Sequence, residues 1–333
     1  MSNTSLVAMT RGVEFMSPTT FRVVDEVYTA PDLPASSDAV APIVQLLENA
    51  LYVKLYTRSR AAGTQVSHTL QREFVARLSA ANVGRGAYDG GWTVVALEDD
   101  GTIGVQKDGL TLWARPQECL FESTAPVIGA TARVCVGKEQ RLLNPGFYFA
   151  FSNGFFDSKA DLVRVYWNVS AAGAPPLVRA ITQHLNEAEV PFRFKTLNEP
   201  QLFARADAAV LYIDRRGYAK ARYALVKILG LVRPWLGSET PLMTKRLAPG
   251  VGLAEDPGSQ ETSFGQHRCR VVAEASWQSY RAGRTTEHER LDDLAQAFVA
   301  RGLDPMRPYL ESGSLDQYPQ LEKTRSRRAA RAR

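Results

Sequence analysis

The chain has 333 residues, 45% hydrophobic and 23% charged, with a formal net charge of +5 at pH 7, the balance of an ordinary globular protein. No apolar run approaches the roughly 20 residues that span a bilayer, MSNTSLVAMTRGVEF lacks the apolar core of a signal peptide, and Cys119, Cys135 and Cys269 show neither CxxC nor zinc spacing. A membrane span, a secretory leader and a disulfide scaffold are therefore not expected, and the thiols suit a reduced, cytoplasmic protein.

Residues 1–37 read as irregular, with Pro31 and Pro34 marking a loop into a first helix over 38–55. A second helix covers 65–81, and Gly84, Gly86, Gly90 and Gly91 then punctuate the chain. GWTVVALEDDGTIGVQKDGLTLWAR predicts three short strands joined at Asp99-Asp100-Gly101 and Lys107-Asp108-Gly109, corners that close hairpins. This unit, 1–140, carries no obvious chemistry and suits recognition or scaffolding. Asn144-Pro145-Gly146 marks a turn into a second unit, 141–310. It begins with a strand at 147–151, the loop SNGFFDSKAD and a strand at 162–169. A helix follows over 175–189, with Pro175 and Pro176 in its first turn. Strands at 191–197 and 207–214 and a helix at 218–232 come next. The Gly- and Pro-rich stretch 234–260 reads as irregular, and helices at 264–282 and 286–302 close the unit. Residues 311–333 are expected to form a basic, disordered tail. Its KTRSRRAARAR run carries the excess charge, so a nucleic-acid-binding body is not implied. The whole reads as α+β: a mixed or antiparallel sheet backed by helices, behind an N-terminal helix and β-meander unit. No Rossmann fingerprint, P-loop or internal repeat is present.

Side chains on a strand alternate between faces. In the strand 162–169, Val163, Val165, Trp167 and Val169 form an apolar face for a core. Leu162, Arg164, Tyr166 and Asn168 form the other. A guanidinium, a phenol and an amide in a row suit the floor of a polar pocket better than a solvated surface. In PFRFKTLN, Phe192, Phe194 and Thr196 face one way, and Arg193, Lys195 and Leu197 the other. The two cations sit about 6.5–7 Å apart along the strand. Lys195 is a candidate base or nucleophile, unless the pair is simply solvated. Arg205 and Asp207 share a face if their strand starts early enough, so Asp207 either aims Arg205 at an anion or forms a structural pair with it. Tyr212, on the opposite parity, reads as a core aromatic.

In LMTKRLAPGVGLAEDPG, Lys245 or Arg246 is placed for a phosphate, and Gly250, Gly252 and Gly258 permit close backbone approach. Glu255 and Asp256 lack a third ligand for a metal. Ser263 and Gln266 match a capping box, which predicts a helix N-terminus with exposed N–H groups that attract anions. His267, Arg270 and Glu274 follow on one helical face. A histidine beside Arg268 and Arg270 suits phosphate contact or proton donation, or is a chance residue of a surface helix. No nucleophile elbow, HExxH or glycosidase carboxylate pair is present. Elimination from a phosphorylated substrate needs only a base and cations for the departing phosphate.

VRVYWNVSAAGAPPLVRAITQHLN, VPFRFKTLN, ARADAAVLY, TKRLAPGVGLAEDPG and SFGQHRCR, in this order over about 145–300, resemble the HopA-type effector family. That family includes a type III effector of plant-pathogenic bacteria and the stand-alone lyase subunits of class V lanthipeptide synthetases. A more distant resemblance is to the type III effector phosphothreonine lyases. The resemblance implies a phosphoserine/phosphothreonine lyase partnered by a separate Ser/Thr kinase. The kinase phosphorylates a precursor peptide, and the lyase removes phosphate to leave dehydroalanine or dehydrobutyrine. No cofactor, metal, nucleic acid or membrane is implied. Lys195 matches the base of the distant lyases. Arg164 and Tyr166 match their Lys-x-His pair by offset alone, which leaves the general acid open between Tyr166 and His267. The implied phosphate contacts are Arg164, Arg205, Lys245, Arg268 and Arg270, with Asn168, Arg193 and Asp207 in support. The alternative is a non-catalytic phosphopeptide- or precursor-binding partner of a kinase, or a HopA-like effector.

Overall fold

A seven-stranded sheet organises the chain. The computed structural model describes residues 4–31, 42–59, 68–121, 126–141, 146–258 and 262–322, and among them the architecture is α+β. The N-terminus forms a helix, α1 (Thr4–Arg11), and a meander of β1 (Val13–Phe15), β2 (Thr20–Val23) and β3 (Glu26–Thr29). This corrects the irregular reading of 1–37: elements of three to eight residues are too short to display a clear period. Helix α2 (Pro42–Leu51) runs into a π-helical turn, Tyr52–Tyr56, and the two complete the first expected helix. Helix α3 (His68–Ala81) is the second. Pro34, residues 38–41 and 65–67 of the expected helices, the Asn144-Pro145 turn and the basic run 323–333 lie outside the described residues.

The expected meander is present as β4 (Ala87–Leu97), β5 (Ile103–Lys107) and β6 (Leu110–Ala114). Its second corner has positive φ at both Asp108 and Gly109, the geometry that matches hairpin twist. Two strands not foreseen, β7 (Cys119–Phe121) and β8 (Thr131–Val136), extend it to the order β6-β5-β4-β8-β7. This sheet encloses a small core of its own, around Trp92, Val94, Ile103, Val105 and Val134. Helices α1 to α3 instead share cores with the large sheet, so the division expected at 140 does not separate two cores.

The remaining elements are β9 (Glu139–Gln140), β10 (Phe147–Phe151), β11 (Leu162–Trp167), α4 (Ala174–Glu187), β12 (Phe192–Leu197), β13 (Ala209–Asp214), α5 (Tyr218–Val232), β14 (Lys245–Ala248), β15 (Val251–Glu255), α6 (Phe264–Arg281) and α7 (Glu287–Val299). The large sheet has the order β14-β15-β11-β13-β12-β10-β9, and every described pair in it is antiparallel. The β14–β15 hairpin corrects the irregular reading of 234–260. Its strands are short, and its turn depends on Gly250, whose φ is +72° and where a Cβ would collide with the Gly237 carbonyl.

One sheet face, including Val163, Val165, Trp167, Phe192, Phe194 and Leu211, packs against α3, α4 and α5. The other, including Leu162, Tyr166, Val210, Tyr212 and Ala254, packs against α1, α2, α6 and α7. Each buried large apolar side chain contributes about 1.5–3 kcal/mol, so a one-residue slip that exchanged the faces is strongly disfavoured. The parity expected for 162–169 is the one observed, and that for 191–197 holds except at Leu197, which is buried in the same core as Phe192 and Phe194 as the strand ends. The capping box at Ser263 and Gln266 also opens α6 as expected. After α7 the chain runs as an irregular strap across the sheet edge. Glu255 N–H donates to the Tyr309 carbonyl, Leu321 N–H donates to the Leu247 carbonyl, and Tyr318 is buried. The chain is thus held as far as 322, past the expected start of the tail at 311.

Candidate functional site

Antiparallel register places Arg164, Tyr212 and Arg193 side by side across β11, β13 and β12. The next row on the same face is Tyr166, Val210 and Lys195. Tyr212, 4% exposed, is the centre of the arrangement. The Arg193 Cζ lies 4.7 Å from its ring centroid, the Arg164 Cζ 5.2 Å and the Lys195 Nζ 5.8 Å. Burial pushes the Tyr212 pKa up, but Lys195, Arg164 and Arg193 together outweigh it and hold the phenol below the usual tyrosine range. Three cations thus surround one buried phenol.

The cations differ in their partners. Arg164 is buried, and its Nε donates to Asp256 at 2.7 Å. Burial works against its charge, and Tyr212, Tyr166 and Asp256 more than compensate. Arg205 binds Asp207 through two hydrogen bonds, of 2.5 and 2.8 Å, and the Tyr52 hydroxyl donates to the same carboxylate at 3.4 Å. Among the described residues neither Arg193 nor Lys195 has a carboxylate partner. Aromatic rings bracket them instead: Phe156 lies 5.6 Å from the Arg193 Cζ, and Phe147 lies 4.7 Å from the Lys195 Nζ. The Arg193 Nε is buried without a hydrogen-bond partner. Such a group costs free energy until an acceptor reaches it.

Tyr166 is buried beside Tyr56, ring edge to ring face with centroids 6.5 Å apart. Burial raises the Tyr166 pKa above the usual range against the influence of Arg164. The Asp207 charge also acts on this phenol, which ties the Arg205–Asp207 pair to the site. Helix α6 closes directly over the tyrosines at Gly265, where a Cβ would collide with the Tyr56 ring.

Other expected site residues are engaged elsewhere. Arg268, fully buried, donates to the carbonyls of Pro308 and Leu310 at 2.8 and 3.0 Å and to Glu311 at 2.8 Å, so it anchors the strap. The His267 Nδ1 accepts from Arg268 at 2.5 Å. Burial, Arg268 and Arg301 lower the His267 pKa to about 4, so near neutral pH its ring is uncharged and has no imidazolium proton to give. Arg270 pairs with Glu274 at 2.6 Å and Glu48 at 3.0 Å. Lys245 pairs with Asp316 at 2.5 Å and sits in register with Leu253, which faces the opposite core. The Asn168 Nδ2 donates to the Glu239 carbonyl at 3.0 Å.

The structure therefore gathers Arg164, Tyr166, Arg193 and Lys195, sets Arg205 and Asp207 beside them, and commits Lys245, His267, Arg268, Arg270 and Asn168 to structural contacts. Tyr212, read from the sequence as a core aromatic, belongs at the centre. Its strand starts at Ala209, after Asp207, so a parity counted from Asp207 does not apply, and cross-strand register alone identifies it. A cleft of about 350 Å³ between α6 and α7 includes none of these residues. Among the described residues no His, Cys, Asp or Glu cluster is placed to hold a metal ion, and no helix is long and apolar enough to cross a membrane.

The profile of the HopA1 effector protein family matches residues 138–310, which contain Arg164, Tyr166, Arg193, Lys195 and Tyr212. Among solved structures, the chain is similar to the effector protein from Pseudomonas syringae pv. tomato strain DC3000, with 18% identity and a TM-score of 0.48, over 84% of this chain and 92% of that one. It is also similar to the effector protein from Pseudomonas syringae pv. syringae strain 61, with 18% identity and a TM-score of 0.46, over 80% of this chain and 90% of that one. No curated protein matches the chain.

Proposed function

The chain belongs to the HopA1 effector protein family, and from that membership we propose that it is a phosphoserine/phosphothreonine lyase. Its substrate is a peptide phosphorylated by a separate kinase in the cytoplasm, and its product carries dehydroalanine or dehydrobutyrine, as in lanthipeptide biosynthesis. The observation that supports this most is the Arg193–Lys195 pair, two cations without a carboxylate partner among the described residues, set against the Tyr212 phenol. A phosphate ester with about −1.5 to −2 charge supplies what they lack.

In this reading Arg193 and Arg164 hold the phosphate. Lys195, in its unprotonated form, takes the α-proton, the Cα–H electrons form the Cα=Cβ bond, and the Cβ–O bond breaks to release phosphate. Tyr212 hydrogen-bonds or protonates the departing oxygen. A phenol held below its usual pKa gives up its proton more readily than Tyr166, whose pKa burial raises. The reaction balances without an oxidant, cofactor or metal. The closed setting of Tyr212 favours one second reading, a kinase partner that binds phosphopeptide without turning it over.

Mass spectrometry of a phosphothreonine peptide incubated with the protein separates the two. Loss of phosphoric acid is expected. Loss of the phosphoryl group alone would mean a phosphatase, and an unchanged bound peptide a binder. Lys195→Ala should slow elimination by about 10²–10⁴-fold while the peptide still binds. Near-normal phosphate release by that variant would remove Lys195 as the base.

A further inference from the structure

The loop from β10 to β11 carries two consecutive phenylalanines with different surroundings. Phe156 is half-buried, with its ring over Arg193 at 5.6 Å. Phe155 is 55% exposed, and the Lys107 Nζ lies 5.6 Å from its ring. Lys107 ends β5 of the small sheet, where it is fixed by Asp89 at 2.7 Å and the Gly90 carbonyl at 2.8 Å. It also lies 5.9 Å from the Trp92 ring. The loop thus joins the unpaired cations to the small sheet through an aromatic surface.

A residue next to a bound phosphorylated side chain has its Cα about 3.8 Å away, and the one beyond it about 7 Å away. Phe156 is the ring beside Arg193, and Phe155 precedes it directly along the loop. The two rings offer an apolar partner. Arg193 and Lys107 place positive charge against them, although Asp89 offsets the last.

We propose that Phe155 and Phe156 form a specificity wall, so that the substrate is a phosphopeptide with an apolar residue beside the phosphorylated one, and a basic residue there is rejected. This rests on the lyase reading above. It assigns substrate selection to a loop and a small sheet that carry none of the chemistry.

Three phosphothreonine peptides identical except for Leu, Gly or Lys at both neighbouring positions test it, with kcat/KM for elimination and Kd by fluorescence anisotropy measured on each. Leu is expected to exceed Gly by about tenfold, with Lys weakest, and the Kd values should follow the same order. Phe155→Ser should reduce the Leu-to-Gly ratio to about one without lowering Tm, because the side chain is already largely exposed. Tyr223→Ser, at a residue 73% exposed on α5 behind the opposite face of the sheet, should leave the ratio intact. Equal values for Leu and Gly in the wild type, no binding of any peptide, or a ratio that survives in Phe155→Ser would overturn the wall. Binding in the expected order without elimination would instead overturn the lyase reading and leave the wall standing.

Discussion

Replacing Arg193 by Met removes one of three charges around Tyr212 while keeping an unbranched side chain on β12. The Arg193 Cζ lies 4.7 Å from the Tyr212 ring centroid. At an effective dielectric near 20, a unit charge at that distance interacts with a phenolate by about 3.5 kcal/mol. Arg193 is partly solvated and screening reduces the effect, so the Tyr212 midpoint should rise, by less than that interaction alone would give. The assay is a spectrophotometric titration of tyrosinate. Of the twelve tyrosines, the first to ionise should vanish in Tyr212→Phe and move upward in Arg193→Met. Persistence of that first transition in Tyr212→Phe, or an unchanged midpoint in Arg193→Met, would refute the reasoning that places the phenol within reach of the cations.

Two further predictions concern α6. The His267 pKa is about 4 in the fold against an ordinary 6.5, so between these values the unfolded chain binds more protons and stability falls as pH drops through that window. Discounted for partial exposure, the loss is about 1–2 kcal/mol; urea unfolding at both ends of the window should show it, and His267→Gln should flatten it, whereas an identical pH slope in the variant would exclude His267 as its origin. Arg268→Ala strands Glu311 and the carbonyls of Pro308 and Leu310, so it should cost about 3–5 kcal/mol in chemical denaturation. A loss below about 1 kcal/mol would mean that the strap is held by its other contacts.

What the sequence revealed depended on element length. The two faces of 162–169 and the split of Arg193 and Lys195 from Phe192 and Phe194 follow from strict alternation, and long amphipathic helices such as α4 and α5 announce themselves by period. The small strands of the N-terminal meander and the β14–β15 hairpin do not, since three to five residues set no period. The site divided along the same line. Residues that share a strand could be grouped from the sequence, but partners on different strands needed register. Arg268 and Arg270 are a case in point: neighbours in sequence, they turn to opposite sides of α6, one to the strap and the other to Glu48.

The sheet order places β13 between β11 and β12, so Arg164 and Arg193 approach one another only across Tyr212. In the unfolded chain these charges are far apart. Folding therefore performs electrostatic work to gather them, and Arg193 and Lys195 enter the native state without a compensating carboxylate among the described residues. That work is returned when an anion arrives, since a ligand that binds the folded chain alone stabilises it by mass action. Affinity and native-state stability then pull in opposite directions: a variant made sturdier by neutralising Arg193 or Lys195 should hold the anion less tightly.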